Sequence, residues 1–323
     1  MSIDTSWKPT SSIKNLINRA IFIKKIRKFF YKKKYLEVDT PILSKFTVTD
    51  AHIKSFKTVF KKLNIRKKLY LITSPEYHMK RLIAANSGPI FQICHSFRNG
   101  EIGRLHQPEF TMLEWYNPKF GMQELIKESD ELLKKIFSYK KIKKISYKNI
   151  YIKYLGIDPF KEKIKNLQKK SILLNIEKKT VLSLNKNELL QLIFSIAIEP
   201  NIGKFQPVVV YHFPIEQSLL SKINKKNSKV SNRFEIYFKG IEIANGFQEL
   251  TNLSEHYKRF NNQNNIRKLL NISTKKIDKY FISALKYGLP SCSGISIGID
   301  RLLMILTKMN NIKDIISFSI ENS

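Results

Sequence analysis

Two acidic residues flank an Asn-Gly pair in the segment Phe234–Leu250, FEIYFKGIEIANGFQEL. Asn-Gly is the strongest short signal for a two-residue hairpin loop, because both residues tolerate positive φ. With the loop there, Ala244 pairs with Phe247. Glu242 then lies directly across from Glu249, with Cβ atoms about 5 Å apart. Two carboxylates so placed repel unless a cation sits between them. The chemistry they suit is binding of Mg²⁺ or of an ammonium group. A solvent-facing pair, or a longer loop that breaks the register, is the plainer alternative; the apolar flanks favour the cation.

A second segment, Phe91–Tyr116, reads FQICHSFRNGEIGRLHQPEFTMLEWY. It predicts two strands joined by a polar loop. Arg98 shares a face with Cys94 and Ser96, and Glu114 and Tyr116 share a face with Phe110 and Met112. An arginine and a glutamate inside apolar strands are costly to bury unpaired. A ligand carrying both an anionic and an amine group would complete them; so would an internal Arg–Glu pair. Arg104, His106 and Gln107 make the loop rich in donors suited to phosphate.

The third segment is SGISIGIDRLLMIL, Ser293–Leu306. Gly294, Ser296 and Gly298 alternate on one strand face, which clears side chains from it and lets a flat ligand approach the backbone. Arg301 follows at the start of a helix that Asp300 is expected to cap. Tight packing against a helix would also explain the small residues. The six histidines show no paired metal-ligand spacing, and neither a P-loop nor a Rossmann fingerprint is present.

The elements that must position these groups follow from hydrophobic periodicity. Ser12 to Lys34 predicts a helix with Ile13, Leu16, Ile17, Ala20, Ile21, Ile23 and Ile26 on its apolar face. Tyr35–Asp39 is strand-like and stops at Pro41. Leu69–Thr73 reads as a buried strand. Ser74 is expected to cap the next helix, with Pro75 in its first turn and Glu76 at the positive end of its dipole. Residues 122–137, 188–198, 254–270, 274–287 and 300–309 are helical in pattern, and residues 233–250 and 294–299 are strands. Residues 138–230 form an expected helical insertion in a single domain, 1–323. Strands with helices segregated around them mark an α+β fold with a mainly antiparallel sheet.

At 323 residues and 42% hydrophobic, the chain can bury a large core. Two cysteines exclude a disulfide framework and a Cys-rich zinc site, and suggest a reducing, cytoplasmic setting. Neither a secretory pattern nor a membrane-length apolar run is present. The formal charge is +32, most of it lysine. Solvated faces account for such an excess as well as attraction to an acidic partner does.

The three segments, in this order, resemble the signature motifs of class II aminoacyl-tRNA synthetases. YLEVDTPIL (35–43) resembles the first motif, a dimer-interface strand. FRNGEIGRLHQPEFTMLEWY (97–116) resembles the second and GISIGIDR (294–301) the third. TSPEYHMKRL (73–82) and GIEIANGFQEL (240–250) resemble the lysyl branch. With SWKPTSSIKNLINRA (6–20) and EPNIGKFQPVVVYHFP (199–214), the chain is similar to the elongation factor P–(R)-β-lysine ligase family, a catalytic core without the anticodon-binding domain. The fold so implied is a class II synthetase-like antiparallel sheet flanked by helices.

The resemblance implies activation of β-lysine by ATP and transfer to a lysine ε-amine on elongation factor P by a cytoplasmic homodimer, without a membrane and with tRNA not the expected partner. It implies that Ser74, Pro75, Glu76, Glu114, Tyr116 and Glu249 border the amino-acid pocket. Arg98, Asn99, Gly100, Gln107, Glu242, Ile243, Gly298 and Arg301 would contact ATP, Arg98 and Arg301 as the catalytic arginines, and Glu242 and Glu249 would hold Mg²⁺. The family's usual Arg-Asn-Glu is Arg98-Asn99-Gly100 here, with Glu101 as the replacement acid, and Gln107 stands for the usual Asn. A truncated tRNA-charging enzyme and a non-catalytic ATP-binding paralogue are the alternatives.

Overall fold

The computed structural model describes residues 6–63 and 65–323. In chain order it runs α1 (Ile13–Lys32), β1 (Leu36–Glu37), β2 (Leu43–Ser44), β3 (Lys57–Lys62), β4 (Ile65–Leu71), α2 (Glu76–Ala84), β5 (Ile90–Phe97) and β6 (Glu109–Asn117). There follow α3 (Met122–Ile136), β7 (Lys143–Ser146), α4 (Tyr147–Leu155), α5 (Ile164–Leu173), α6 (Lys178–Ser183), α7 (Lys186–Ile193), β8 (Val208–Tyr211), β9 (Arg233–Phe238) and β10 (Ile241–Gln248). The chain closes with α8 (Leu253–Leu269), α9 (Lys279–Gly288), β11 (Ser293–Gly298) and α10 (Ile299–Thr307).

Two compact units result: the described residues up to Phe120 with Thr251–Ser323, and Gly121–Leu250. In the first unit β1, β5, β6 and β11 lie side by side in that order. β1 is parallel to β5, and the other pairs are antiparallel. A separate antiparallel sheet runs β2-β4-β3. In the second unit the order is β10-β9-β8-β7, antiparallel except for β7 with β8. The segment expected to be a helical insertion therefore also supplies two strands.

The first unit's core forms where α1 meets β5 and β6. Phe30 stacks on Phe91 at 4.6 Å and meets Trp115 edge-on at 5.1 Å. The buried side of α1 is Asn15, Phe22, Ile26 and Phe30; of the expected stripe only Ile26 is buried. Ile13, Ile17 and Ile21 are 63%, 54% and 50% exposed. Large aromatic rings bury more area than isoleucines and set the helix rotation. Ser12 caps α1, accepting from the Asn15 amide at 3.2 Å.

Three other local expectations change. β4 begins earlier than expected, at Ile65, and ends at Leu71; of the expected Leu69–Thr73, the first three residues are half-buried and Ile72 and Thr73 are buried. Ser74 does not cap α2; the cap is Pro75, without a side-chain bond. Asp300 does not cap α10, which starts from Gly298. Its buried carboxylate instead accepts from Arg19 Nη1 at 2.5 Å and from the Thr111 amide at 2.8 Å, tying α1, β6 and α10 together. In the second unit Tyr147, Tyr151, Leu189, Ile193, Phe194 and Val210 are among the buried residues that knit the helices to β8.

Candidate active site

In the first unit, register alone assembles a face. Gln92, Cys94 and Ser96 of β5 pair with Glu114, Met112 and Phe110 of β6. On the other side of β6, Gly294, Ser296 and Gly298 of β11 pair with Tyr116, Glu114 and Met112. Direct partners share a face, so the expected Glu114–Tyr116 face and the expected small-residue face are one surface. The three small residues of β11 leave that part of it low.

Glu114 is 3% exposed and accepts from Tyr116 Oη at 2.5 Å. Burial and the nearby Glu76 push its carboxyl up to about 8, against the opposing pull of Tyr116, Lys80 and Arg98. Lys80, fully buried, donates from Nζ to Glu76 Oε1 at 2.5 Å. Gln92, opposite Glu114, accepts from Thr40 at 3.0 Å; its Nε2 is buried with no hydrogen-bond partner among the described residues. Lys80 and Gln92 escaped the sequence reading, although both lie inside quoted motifs. Lys80 was discoverable as the i+4 partner of Glu76. Gln92 is betrayed only by its register with Glu114.

Arg98 follows β5 immediately, with its guanidinium 5.2 Å from the Phe110 ring centre and 3.8 Å from Glu101 Oε2. Its Nε is also buried without a hydrogen bond among the described residues. Asn99 and Gly100 are exposed in the turn that follows. Gly100 has φ +85°, where a glutamate would be strained; Glu101 supplies the carboxylate beside Arg98 instead. Arg301 folds back toward the same loop. It donates from Nε to the Leu105 carbonyl at 3.4 Å and lies 2.7 Å from His106 Nε2. A Cβ on Gly298 would sit 3.7 Å from the Arg301 side chain. Gln107 turns away: its Oε1 accepts from the Ile320 amide at 3.2 Å and only 3% of it is exposed. Ser74 and Glu76 are half-buried, and Pro75 is buried, at the entry to α2.

Burial, with Glu114 beside it, pushes the Cys94 thiol up to about 12. A thiol so held does not act as a nucleophile at neutral pH.

In the second unit the hairpin differs from the expected one. Asn245 and Gly246 lie inside β10, paired with Glu235 and Phe234. The turn is at Lys239-Gly240, where φ is +55° and +72°, as a two-residue loop of positive φ requires. Asn245 is held in the strand by Arg233 Nε, which donates to its Oδ1 at 3.1 Å. Glu242 and Glu249 are therefore not opposed across a bend: Glu242 lies in β10 and Glu249 just past its end.

A bulge between Glu242 and Ala244 shifts the alternation by one. Glu242, Asn245 and Phe247 thereby share the face of Tyr237, Glu235 and Arg233. Glu235, which the sequence reading overlooked, is the acid of the partner strand. It is bound by Arg233 Nη2 and Tyr237 Oη. Burial pushes it up to about 7; Arg233 and Tyr237 oppose this, while Glu242 and Glu199 add to it. The Glu242 amide also donates to Glu199 Oε1 at 3.4 Å. Ile243 is buried beside the bulge, and Glu249 is 1% exposed just beyond β10. Among the described residues no group of three or more His, Cys, Asp or Glu is gathered as for a metal ion.

The amino-acid sequence matches a known family, described as tRNA synthetases class II (D, K and N), over residues 5–322. The chain belongs to this class II tRNA synthetase family. It is 51% identical over 317 residues to the elongation factor P–(R)-β-lysine ligase of Buchnera aphidicola subsp. Acyrthosiphon pisum, covering 98% of each chain. The ligase of the same name from Pasteurella multocida is 47% identical over 320 residues, 98% of each. That from Hamiltonella defensa is 45% identical over 325 residues, the whole of both. Membership fits the α+β architecture and the antiparallel pairing around β6. No helix among the described residues is long and apolar enough to cross a membrane.

Proposed function

We propose that this chain is an ATP-dependent, AMP-forming ligase that activates (R)-β-lysine and passes it to the ε-amine of a lysine on elongation factor P. The observation that carries the reading is the buried face of the first unit. Glu76 and Glu114 are two acids suited to the two ammonium groups of a diamino acid, and Arg98 is a cation suited to its carboxylate. Relatives at 45–51% identity named for that reaction point the same way.

The substrate carboxylate oxygen attacks the α-phosphorus of ATP, and the bond to pyrophosphate breaks. The acceptor amine then attacks the acyl carbon, loses a proton, and AMP leaves. Arg98 orients the attacking carboxylate and stabilises charge on the α-phosphate; Arg301 holds the terminal phosphates. Ser74 and Tyr116 border the amino-acid pocket. Asn99 and Gly298 serve the nucleotide, Gly298 by leaving its strand flat.

The donor set of the second unit fits Mg²⁺, which takes one or two carboxylates plus substrate phosphates rather than a full protein cage. Glu235 and Glu242 would hold it, and it would neutralise charge on the leaving pyrophosphate. We also propose a cytoplasmic homodimer; the exposed Ile13, Ile17 and Ile21 on one face of α1 support a partner surface there.

ATP–pyrophosphate exchange tests the reading. Exchange is expected to be fastest with β-lysine, slower with α-lysine and absent without either. No exchange with either lysine would sink it, and transfer of label to tRNA in place of protein would replace it with a tRNA-charging function.

A further inference from the structure

Strands β3 and β4 gather positive charge onto one face of a hairpin. Between Asp50 and Glu76 the sequence has no acid, yet Lys57, Lys61, Lys62, Arg66, Lys67 and Lys68 all lie there. Register sorts them. Lys57 pairs with Tyr70, Val59 with Lys68, and Lys61 with Arg66. One face of the hairpin thus presents Lys57, Lys61, Arg66 and Lys68 together, all exposed.

The root of that face is built rather than merely solvated. Lys68 Nζ and Lys275 Nζ stand 5.8 Å and 5.3 Å from the centre of the Tyr70 ring. Lys275 is 7% exposed and Arg267 4%. Arg267 is fixed by bonds of 2.8 Å to the Ser273 and Asp50 carbonyls, and the Asp50 charge acts on it. The charges acting on Lys275 are Arg267, Lys57 and Lys68, all positive; with burial they lower its ammonium to about 8. An ordinary surface lysine swings into water and avoids its like-charged neighbours. A buried one held among three cations is relieved when an anion arrives.

The hairpin also leads directly to the amino-acid pocket. Glu76 is five steps along the chain from Leu71, the end of β4, a reach of at most about 18 Å. A partner seated on the hairpin is therefore close to where the acyl group is handed over. Tyr70, the ring at the root of this face among the described residues, is engaged by two ammonium groups, which favours an acidic protein surface over a stacked nucleobase.

We propose that the Lys57–Lys61–Arg66–Lys68 face, rooted on Tyr70, Arg267 and Lys275, docks an acidic surface of the protein that carries the acceptor lysine. This rests on the ligase reading above and adds where the protein substrate binds.

The test is steady-state transfer to elongation factor P by a Lys57→Glu/Lys61→Glu/Lys68→Glu variant, with pyrophosphate exchange measured on the same preparation. KM for the acceptor protein should rise at least about tenfold, mainly through slower association, while exchange with β-lysine is unchanged. The wild-type KM should rise with added NaCl, and the variant's much less. Should charge reversal prevent folding, the Lys→Gln triple variant is read by the same criterion with a smaller rise. An unchanged acceptor KM overturns the docking surface. So does a variant that loses affinity for tRNA while its acceptor KM stands. Absence of exchange in wild type as well as variant would strike the ligase reading itself.

Discussion

Glu114 in the first unit and Glu235 in the second are built from the same local pattern. Each is a glutamate buried within a strand, bonded to the hydroxyl of the tyrosine two residues later, Tyr116 and Tyr237. Burial raises both, to about 8 and about 7. Their companions differ. Glu235 has a directly bonded arginine, Arg233, and two further acids, Glu242 and Glu199, acting on it. On Glu114 the opposing pull comes from Tyr116, Lys80 and Arg98, and Lys80 also bonds Glu76. The difference teaches two uses of a buried acid. Glu235, bonded to Arg233, is raised less than Glu114, and its position beside Glu242 is the one proposed above for a divalent cation. Burial favours the protonated form of Glu114 at neutral pH, and the ammonium group of the proposed substrate would displace that proton.

That contrast can be broken experimentally. The largest effect should come from Arg301→Ala, which removes a phosphate-binding cation and is expected to slow adenylate formation roughly 10²–10³-fold. Activity equal to wild type would take Arg301 out of the site. Next, Glu235→Ala leaves Arg233 partly buried without its carboxylate, and urea unfolding should show a loss of about 3–5 kcal/mol. Glu114→Gln replaces a protonated acid with a near-isostere and should cost under about 1 kcal/mol, yet weaken lysine binding. Equal stability losses would abolish the distinction between the two acids.

The pH dependence sharpens the same point. The folded Glu114 binds a proton more tightly than the unfolded residue does. Its contribution to stability is therefore full below the unfolded carboxylate range, near pH 4.5. It falls as pH rises toward about 8. Lysine binding runs oppositely: affinity should rise from about pH 6 to pH 8 and flatten above, since the ligand needs the carboxylate form. Calorimetry in buffers of different ionisation heat should detect proton release on binding at pH 7, and Glu114→Gln should remove it. The smallest effects are expected from Tyr116→Phe and Tyr237→Phe, about 1 kcal/mol each, measured by denaturant midpoint.

Much of the first unit was legible before the structure. The faces of Glu114 with Tyr116 and of Gly294 with Gly298 follow from strict alternation in strands, and β6 joins them. What escaped were features set by tertiary contact. Asn245-Gly246 has the composition of a turn, but Arg233 holds it in β10 while Lys239-Gly240 bends. A Cβ on Gly240 would come within 3.0 Å of the Pro200 carbonyl oxygen, a close approach no local pattern announces. The bulge at Glu242 then restores a shared face that spacing alone would deny, with Glu235 as its partner acid. The α1 stripe failed for another reason: periodicity finds an apolar face but does not say whether this chain or a second copy covers it.

The central claim is that a lysyl group ends on protein, delivered by way of its adenylate. Intact-mass measurement of elongation factor P after incubation with this enzyme, ATP and (R)-β-lysine tests it most directly. The account predicts an added mass of one lysyl residue, dependent on ATP and abolished by Arg301→Ala. Unmodified elongation factor P alongside active pyrophosphate exchange would contradict it.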